Sequence, residues 1–507
     1  MLSAQLDVPF VNVSSLDIDP KAPKLITQSL ARSNNLIPVQ IDNNRLIVAV
    51  VDPLDQFGID DVRIQTGMDI QICIAKRSDI IGAINRFYDD QEEADKAIKE
   101  FQASNSMMNI DMSMDTAEDD DVLNSPMVRL VNTIINQAVR RGVSDIHIEP
   151  FEDRVRVRYR IDGELIEAMT STRETLLAIV ARVKIIGNMD ISERRKPQDG
   201  RLETVIYGKS IDMRISILPT VFGEKVVIRL LDRSSLLVNF EDLNFSDKNE
   251  HLIKEILKVP EGTVLVTGPT GSGKTTTLYT ILRMLNTINN NIITVEDPVE
   301  YRIDGINQTQ VNEKAGLTFA TALRSILRQE PDVIMVGEIR DKETAQIAIR
   351  ASITGHIVLS TLHTNDTSSS VTRLIDMGIE NYLVSSAISG VVAQRLVKKI
   401  CPTCKEEHVT TPDEMNLLGI IEPTVIYRGK GCNNCSRTGY RGRTAIHEIL
   451  AVTSDIRLLI NSGASADAIK DRAIKNGMDT LQESCRKLIL KGETTIDELI
   501  KVAYTME

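Results

Sequence analysis

Val264-Leu265-Val266-Thr267-Gly268-Pro269-Thr270-Gly271-Ser272-Gly273-Lys274-Thr275 is the stretch on which the fold turns. Its first four residues form an apolar run that reads as a buried strand, and residues 276–285 behind it have the spacing of a helix. Between them lies the pattern GxxxxGK[ST]. Its glycines let successive backbone N–H groups curl around phosphate oxygens, and the helix N-terminus adds its positive dipole end. Lys274 is placed to reach the β- and γ-phosphates of a nucleotide, and Thr275 to hold Mg²⁺ through its hydroxyl. A glycine-rich turn alone would carry little weight. Strand, loop and helix in this order specify a nucleoside triphosphate site.

Hydrolysis needs carboxylates near the γ-phosphate. Ile292-Ile293-Thr294-Val295-Glu296-Asp297 ends an apolar strand in two acids, and Asp332-Val333-Ile334-Met335-Val336-Gly337-Glu338 is a second such strand. Its end carries Gly337 and Glu338 where a metal-holding aspartate is usual. Glu296 is suited to position the attacking water and Glu338 to bind Mg²⁺ through water, with an exchange of the two roles left open. A third apolar strand is bracketed by His356 and His363. His363, followed by Thr364 and Asn365, is a candidate γ-phosphate sensor, whereas His356 reads as a packing or hydrogen-bonding residue.

The whole chain has 507 residues, 42% hydrophobic and 26% charged, which suits about three domains of roughly 150 residues each. Its apolar runs are about six residues long, as at 46–51, against the ~20 that span a membrane. No basic-then-apolar leader opens it, so the expected compartment is the cytoplasm. The net charge of −12 is local. Residues 89–121 hold twelve acids against Lys96 and Lys99, a net of −10 that leaves about −2 elsewhere. No domain carries a broad basic face, which argues against direct nucleic-acid binding.

The expected organisation has six parts. Residues 1–90 form a small α/β docking domain, in which Ser78 caps a helix with Ile80, Ile81, Ile84 and Phe87 on one face. Residues 91–122 are an acidic flexible linker, too polar to offset their ordering entropy. Residues 123–235 make a second α/β, PAS-like domain, with a helix striped by Val128, Val131, Ile134, Ile135 and Ala138. In it Arg154-Val-Arg-Val-Arg-Tyr-Arg160 alternates strictly and Asp162-Gly163 follows it, a strand-turn signature. Residues 244–395 are the nucleotide domain, 396–445 a tetracysteine segment, and 446–507 a helical end. Cys401-Pro-Thr-Cys404 and Cys432-Asn-Asn-Cys435 are separated by 27 residues. Four thiolates suit tetrahedral Zn²⁺, and a full sulfur shell leaves no open position, so the metal would be structural. A redox dithiol would need only one pair. Cys73 and Cys485 read as packed side chains.

These blocks, in this order, resemble the ATPase family of type II secretion and type IV pilus assembly. Residues 268–275 correspond to its Walker A loop, 294–328 to its aspartate box, 333–341 to its atypical Walker B and 354–365 to its histidine box. Ser144-Asp-Ile-His-Ile-Glu-Pro150, Arg194-Arg-Lys-Pro-Gln-Asp-Gly-Arg201 and Phe222-Gly-Glu-Lys-Val-Val-Ile-Arg229 look like family segments too. The resemblance implies an α/β fold: a RecA-like P-loop core, smaller α/β domains before it, a zinc-binding insertion and a helical C-terminus. It implies a homohexamer whose ATP sites lie between the second domain and the RecA-like domain, with Arg214 and Arg229 reaching the γ-phosphate. Arg154, Arg156 and Arg158 read as solvated strand-face residues. Arg324, Arg328 and Arg340 could be functional or interface ion-pair partners.

The implied function is a motor ATPase that uses ATP, Mg²⁺ and structural Zn²⁺ and drives an inner-membrane platform protein to extend a type IV pilus. A type II secretion pseudopilus is the alternative, and a RecA-like DNA translocase a further one. An inner-membrane assembly protein is expected to dock on the N-terminal domain, so that membrane contact is peripheral and made through partners. Longer relatives carry an added N-terminal segment with RLGxxL-type repeats proposed to bind cyclic di-GMP. This chain opens at Leu6-Asp-Val-Pro-Phe-Val without such a repeat, and no second-messenger site is expected.

Overall fold

Strand pairing in the computed structural model tracks the apolar runs of the sequence closely. The structure describes residues 8–13, 16, 18, 19, 21–42, 45–87, 126–232, 238–435 and 437–504. The acidic stretch at 91–122 lies outside the described residues. The chain divides into two compact units, the first built mainly on Met1–Ser234 and the second on most of the remaining chain.

In the first unit, β1 (Leu36–Asp42), β2 (Arg45–Val50) and β3 (Asp69–Ile74) form a three-stranded sheet in that order. The apolar run at 46–51 supplies β2. The helix Arg77–Phe87 starts before Ser78, whose hydroxyl bonds the Asp79 carboxylate instead of capping the helix. Ile80 and Ile84 are buried, but Ile81 turns out to solvent, because one residue further round a helix is a rotation of about 100°.

A second sheet is antiparallel throughout, in the order β6-β5-β4-β9-β8-β7. Its strands are β4 (Asp145–Pro150), β5 (Arg154–Ile161), β6 (Glu164–Thr172), β7 (Gln198–Ile206), β8 (Lys209–Thr220) and β9 (Gly223–Asp232). The helix Pro126–Arg140 buries Val128, Val131, Ile134, Ile135 and Ala138, and most of this stripe shares one core with Val155, Val157 and Tyr159 of β5. Alternation along β5 therefore divides a core face from an arginine face. Asp162 and Gly163 both take positive φ, 48° and 90°, the backbone of the tight hairpin that the pair signals.

The second unit holds a seven-stranded sheet in the order β12-β11-β13-β14-β10-β15-β18. Its members are β10 (Gly262–Thr267), β11 (Ile292–Glu296), β12 (Asn307–Gln310), β13 (Val333–Val336), β14 (Ile357–Leu362), β15 (Ile388–Ile400) and β18 (Tyr440–Ala451). All pairings are parallel except β15 with β18. Every residue of β10 is buried, as a central parallel strand covered on both faces requires. Between β15 and β18 the short strands β16 (Lys405–Val409) and β17 (Val425–Gly429) make a separate hairpin. From Ser454 onward the described chain is helical, with Ile456, Ile460, Leu481 and Cys485 buried. Among the described residues no helix is long and apolar enough to cross a membrane.

The ribbon of β15 and β18 is the element that periodicity leaves unread. Its strands cross the expected boundaries at 396 and 446, because burial on a sheet edge shared with helices gives neither a clean alternation nor an unbroken apolar run.

Candidate nucleotide site and cysteine cluster

Parallel strands bring their C-terminal ends to one edge of the sheet, where α/β proteins bind ligands. Thr267, the last residue of β10, is level with Leu362 on β14 and with Ala393 on β15. Gly268, His363 and Gln394 therefore come next at the same height. The loop between β10 and the helix Lys274–Leu285 has positive φ at Gly268 (147°), Gly271 (78°) and Gly273 (88°). A Cβ on Gly268 would lie 2.4 Å from the Gln394 carbonyl oxygen, and one on Gly273 would lie 2.7 Å from Gln394 Nε2. These two glycines are demanded by close approach as well as by backbone angle. No side chain caps the helix at Gly273, so its first N–H groups face the loop.

Lys274 folds over this loop, its Nζ donating to the Gly268 carbonyl at 2.8 Å and to that of Pro269 at 3.0 Å. Burial pushes its pKa down to about 8, the Glu338 carboxylate opposes the shift, and the Arg395 charge adds to it. Ser272 Oγ is buried without a hydrogen-bond partner among the described residues, as a hydroxyl awaiting a polar ligand would be.

The two carboxylates sit in different surroundings. Glu338, just past β13, pairs with Arg340 at 2.6 Å and with His363 Nε2 at 3.3 Å. Its charge is felt by Lys274. Glu296 is buried at the end of β11. It accepts hydrogen bonds from the hydroxyls of Tyr279 and Thr294 and from Gln308 Nε2. Burial raises its pKa, and the bonds from Thr294, Tyr279 and Gln308 pull against that rise. His363 is half exposed, and His356 Nδ1 bonds the Ala351 carbonyl at 2.9 Å. Thr267 and Thr364 join their hydroxyls at 2.7 Å, which ties the end of the histidine strand to the root of the phosphate loop.

Sequence reasoning missed several of these partners. Gln394 is the clearest: its Nε2 donates to the Ser272 carbonyl at 2.9 Å and its Oε1 accepts from the Thr277 hydroxyl at 2.6 Å. It braces the loop from the adjacent strand, about 120 residues away in sequence. Tyr279 and Gln308 escaped notice for the same reason. Each is polar within an element whose pattern otherwise reads as structural; pairing of β12 with β11 brings Gln308 to Glu296, and packing of the helix Lys274–Leu285 brings Tyr279 there.

A family model described as Type II/IV secretion system protein matches residues 119–501. The chain belongs to this family. A model of the MshEN domain matches residues 6–94. Over 511 residues the chain is 42% identical to the Type IV pilus assembly ATPase PilB of Myxococcus xanthus, covering 98% of this chain and 89% of that protein. It is 43% identical over 508 residues to Type II secretion system protein E of Xanthomonas campestris pv. campestris, covering 98% and 88%. The crystal structure of the pilus retraction motor PilT with bound ADP is 26% identical, with a TM-score of 0.50, over 73% of this chain and 95% of that one. The chain is thus an ATPase of the secretion and pilus-assembly family, and ATP is its substrate.

In this ATPase the two CxxC turns converge. The sulfurs of Cys401, Cys404, Cys432 and Cys435 all lie within 4.8 Å of one another. Cys435 Sγ is 3.8 Å from those of both Cys404 and Cys432, and backbone N–H groups of Gly431 and Cys432 donate to sulfur. Ligands at 2.3 Å around a tetrahedral zinc would be about 3.8 Å apart, the spacing of the Cys435 sulfur from those of Cys404 and Cys432, so the four thiols suit that metal. Among the described residues no cysteine is in a disulfide. Cys73 and Cys485 are buried apart from the cluster, and burial pushes their thiols up to about 11 and about 12.

Arg214 and Arg229 lie in the first unit. Arg214 on β8 stands opposite Arg229 on β9. Arg229 Nε donates to Asp145 at 2.9 Å and the side chain stays largely exposed. Arg154 is exposed, as a solvated strand-face residue should be. Arg156 and Arg158 are not: both bond Glu149, whose side chain is buried, because outward-facing residues of neighbouring strands lie side by side. Arg324 pairs with Glu343 on the surface of the second unit, and Arg328 bonds the Arg324 carbonyl and the Ser325 hydroxyl.

Proposed function

We propose that this ATPase is a hexameric motor that hydrolyses ATP to extend a type IV pilus at the inner membrane. The observation that carries the reading is the single sheet edge where the phosphate loop, Glu296, Glu338 and His363 cap four parallel strands. Water attacks the γ-phosphorus in line with the departing β–γ bridging oxygen, and Glu296 orients that water and takes its proton. Thr275 and Glu338 would hold Mg²⁺, which neutralises charge on the phosphate oxygens. His363, bonded to Glu338, senses the terminal phosphate. Arg214 and Arg229 stabilise the transition state in a ring whose sites are shared between the second domain and the RecA-like domain. The tetracysteine segment is riveted by structural zinc.

Residues 1–90, most of which fall in the MshEN match at 6–94, dock an inner-membrane assembly protein. The motor acts in the cytoplasm on a platform protein and meets the membrane only through partners. The PilB likeness over 98% of the chain supports pilus extension, and an equally extensive likeness to a type II secretion protein E supports a pseudopilus as the second reading. A deletion strain separates them. Loss of surface pili, restored by the intact gene but not by Lys274→Ala, supports the first reading. Retained pili with lost enzyme secretion overturn it in favour of the second.

A further inference from the structure

Arg395 comes directly after Gln394 on β15, opposite Ile446 of β18. The peptide carbonyl joining the two residues is the atom that Gly268 approaches too closely to carry a Cβ. Arg395 is therefore a backbone neighbour of the phosphate loop. It is only 6% exposed, an unusual burial for a guanidinium. Its Nη2 donates to Asn365 Oδ1 at 3.1 Å and, more weakly, to the Asn365 carbonyl at 3.4 Å. Nε and Nη1 are buried with no hydrogen-bond partner among the described residues.

Among the described residues no carboxylate pairs with this cation directly. Asp366 is near enough for its charge to act on Arg395, but it is already engaged with Ser369 N at the start of the helix Thr367–Asp376 and with Lys470 at 3.3 Å. Lys274, on which the Arg395 charge acts across the loop, has the same sign. Two buried N–H donors and two cations around one glycine-rich loop make a site short of an anion, and orphaned buried donors persist where another state satisfies them. Asn365 closes the argument. It ends the histidine segment two residues after His363, so whatever moves the guanidinium also moves that strand end.

We propose that Arg395 is a phosphate-responsive positioning residue: its Nε–H and Nη1–H take up the negative charge of a bound nucleoside triphosphate, while Nη2 keeps hold of Asn365 and ties His363 to the occupancy of the loop. The proposal rests on the phosphate-loop reading of this site and adds a cation from the same sheet, distinct from Lys274 and from the arginines of the first unit.

The test uses full-length protein and calorimetric affinities for MgADP and for a non-hydrolysable MgATP analogue. Arg395→Gln should weaken the analogue by about tenfold or more, the value of a charge-assisted hydrogen bond, with a clearly smaller effect on ADP. Arg395→Lys keeps the charge without the fork and should recover part of that affinity. Asn365→Ala should lower kcat with ADP affinity intact, and adding it to Arg395→Gln should cost nothing further. Equal losses for ADP and the analogue, or unchanged affinity in folded Arg395→Gln, would overturn the proposal. Should Arg395→Gln fail to fold, the same ratio measured on Arg395→Lys decides. A wild-type protein that binds neither nucleotide, and so matches Lys274→Ala, would instead overturn the phosphate-loop reading itself.

Discussion

Glu296 shows how a single carboxylate is prepared for proton transfer. Burial favours its neutral form, and three donated hydrogen bonds favour the anion. Removing the Tyr279 hydroxyl takes away one bond that lowers the Glu296 pKa, so the pKa rises. Tyr279→Phe should therefore shift the acid limb of the kcat profile to higher pH, and an unmoved limb would mean that Glu296 does not titrate in the rate-limiting step. Glu149 obeys the opposite balance. Burial alone would raise its pKa, but bonds from Arg158, Lys225 and Arg156 hold it down at about 2. Its folded pKa lies below the unfolded one, so its stabilisation is complete above the ordinary carboxylate range and is lost as pH falls toward about 2. Glu149→Gln should loosen the second sheet by about 3 kcal/mol at pH 7 and by much less near pH 3. Hydrogen exchange in peptides covering residues 145–160 measures this, and a penalty independent of pH would contradict it.

Among elements, the phosphate loop divides its glycines by what surrounds them. Gly268 meets the Gln394 carbonyl at a distance no Cβ tolerates, and a Cβ on Gly273, whose φ is 88°, would displace the Gln394 amide that braces the loop, whereas nothing lies within 4 Å of Gly271 despite its φ of 78°. Gly268→Ala and Gly273→Ala should abolish ADP binding. Gly271→Ala should cost only the left-handed backbone penalty of about 1–2 kcal/mol in stability and leave binding measurable. Equal damage at all three positions would show that backbone angle alone sets the loop. The cysteine cluster closes the ribbon of β15 and β18, since Cys401 comes straight after the last residue of β15 and Cys435 precedes β18 by a few residues. Purified protein should carry one zinc per chain by metal analysis. Cys432→Ser should lose that zinc and unfold at lower temperature, and full retention of metal would place the ligands elsewhere.

For the whole molecule the decisive property is whether one chain completes its own site. Specific ATPase activity that rises with protein concentration marks sites finished by a neighbouring subunit. Arg214→Ala and Arg229→Ala should then each lower kcat by about a thousandfold, the usual worth of a transition-state arginine, with ADP affinity preserved. High activity independent of concentration in a monomer would place every catalytic group within one chain.

The sequence by itself determined the local elements and the residues whose chemistry depends on short spacing. The apolar run before Gly268, the glycines themselves, the helix after Thr275, and both CxxC turns are legible because neighbours along the chain make those contacts. The acids and histidine at strand ends were legible as well, since each ends an apolar run and parallel strands end together. Only the tertiary structure decided which polar side chains serve them. Gln394 reaches Ser272, Tyr279 and Gln308 reach Glu296, Arg395 reaches Asn365, and Arg156 with Arg158 encloses Glu149. Each contact runs between strands or helices brought together by packing, and a hydrogen bond's partner is a matter of a few ångströms in space. No periodicity along the chain encodes that distance.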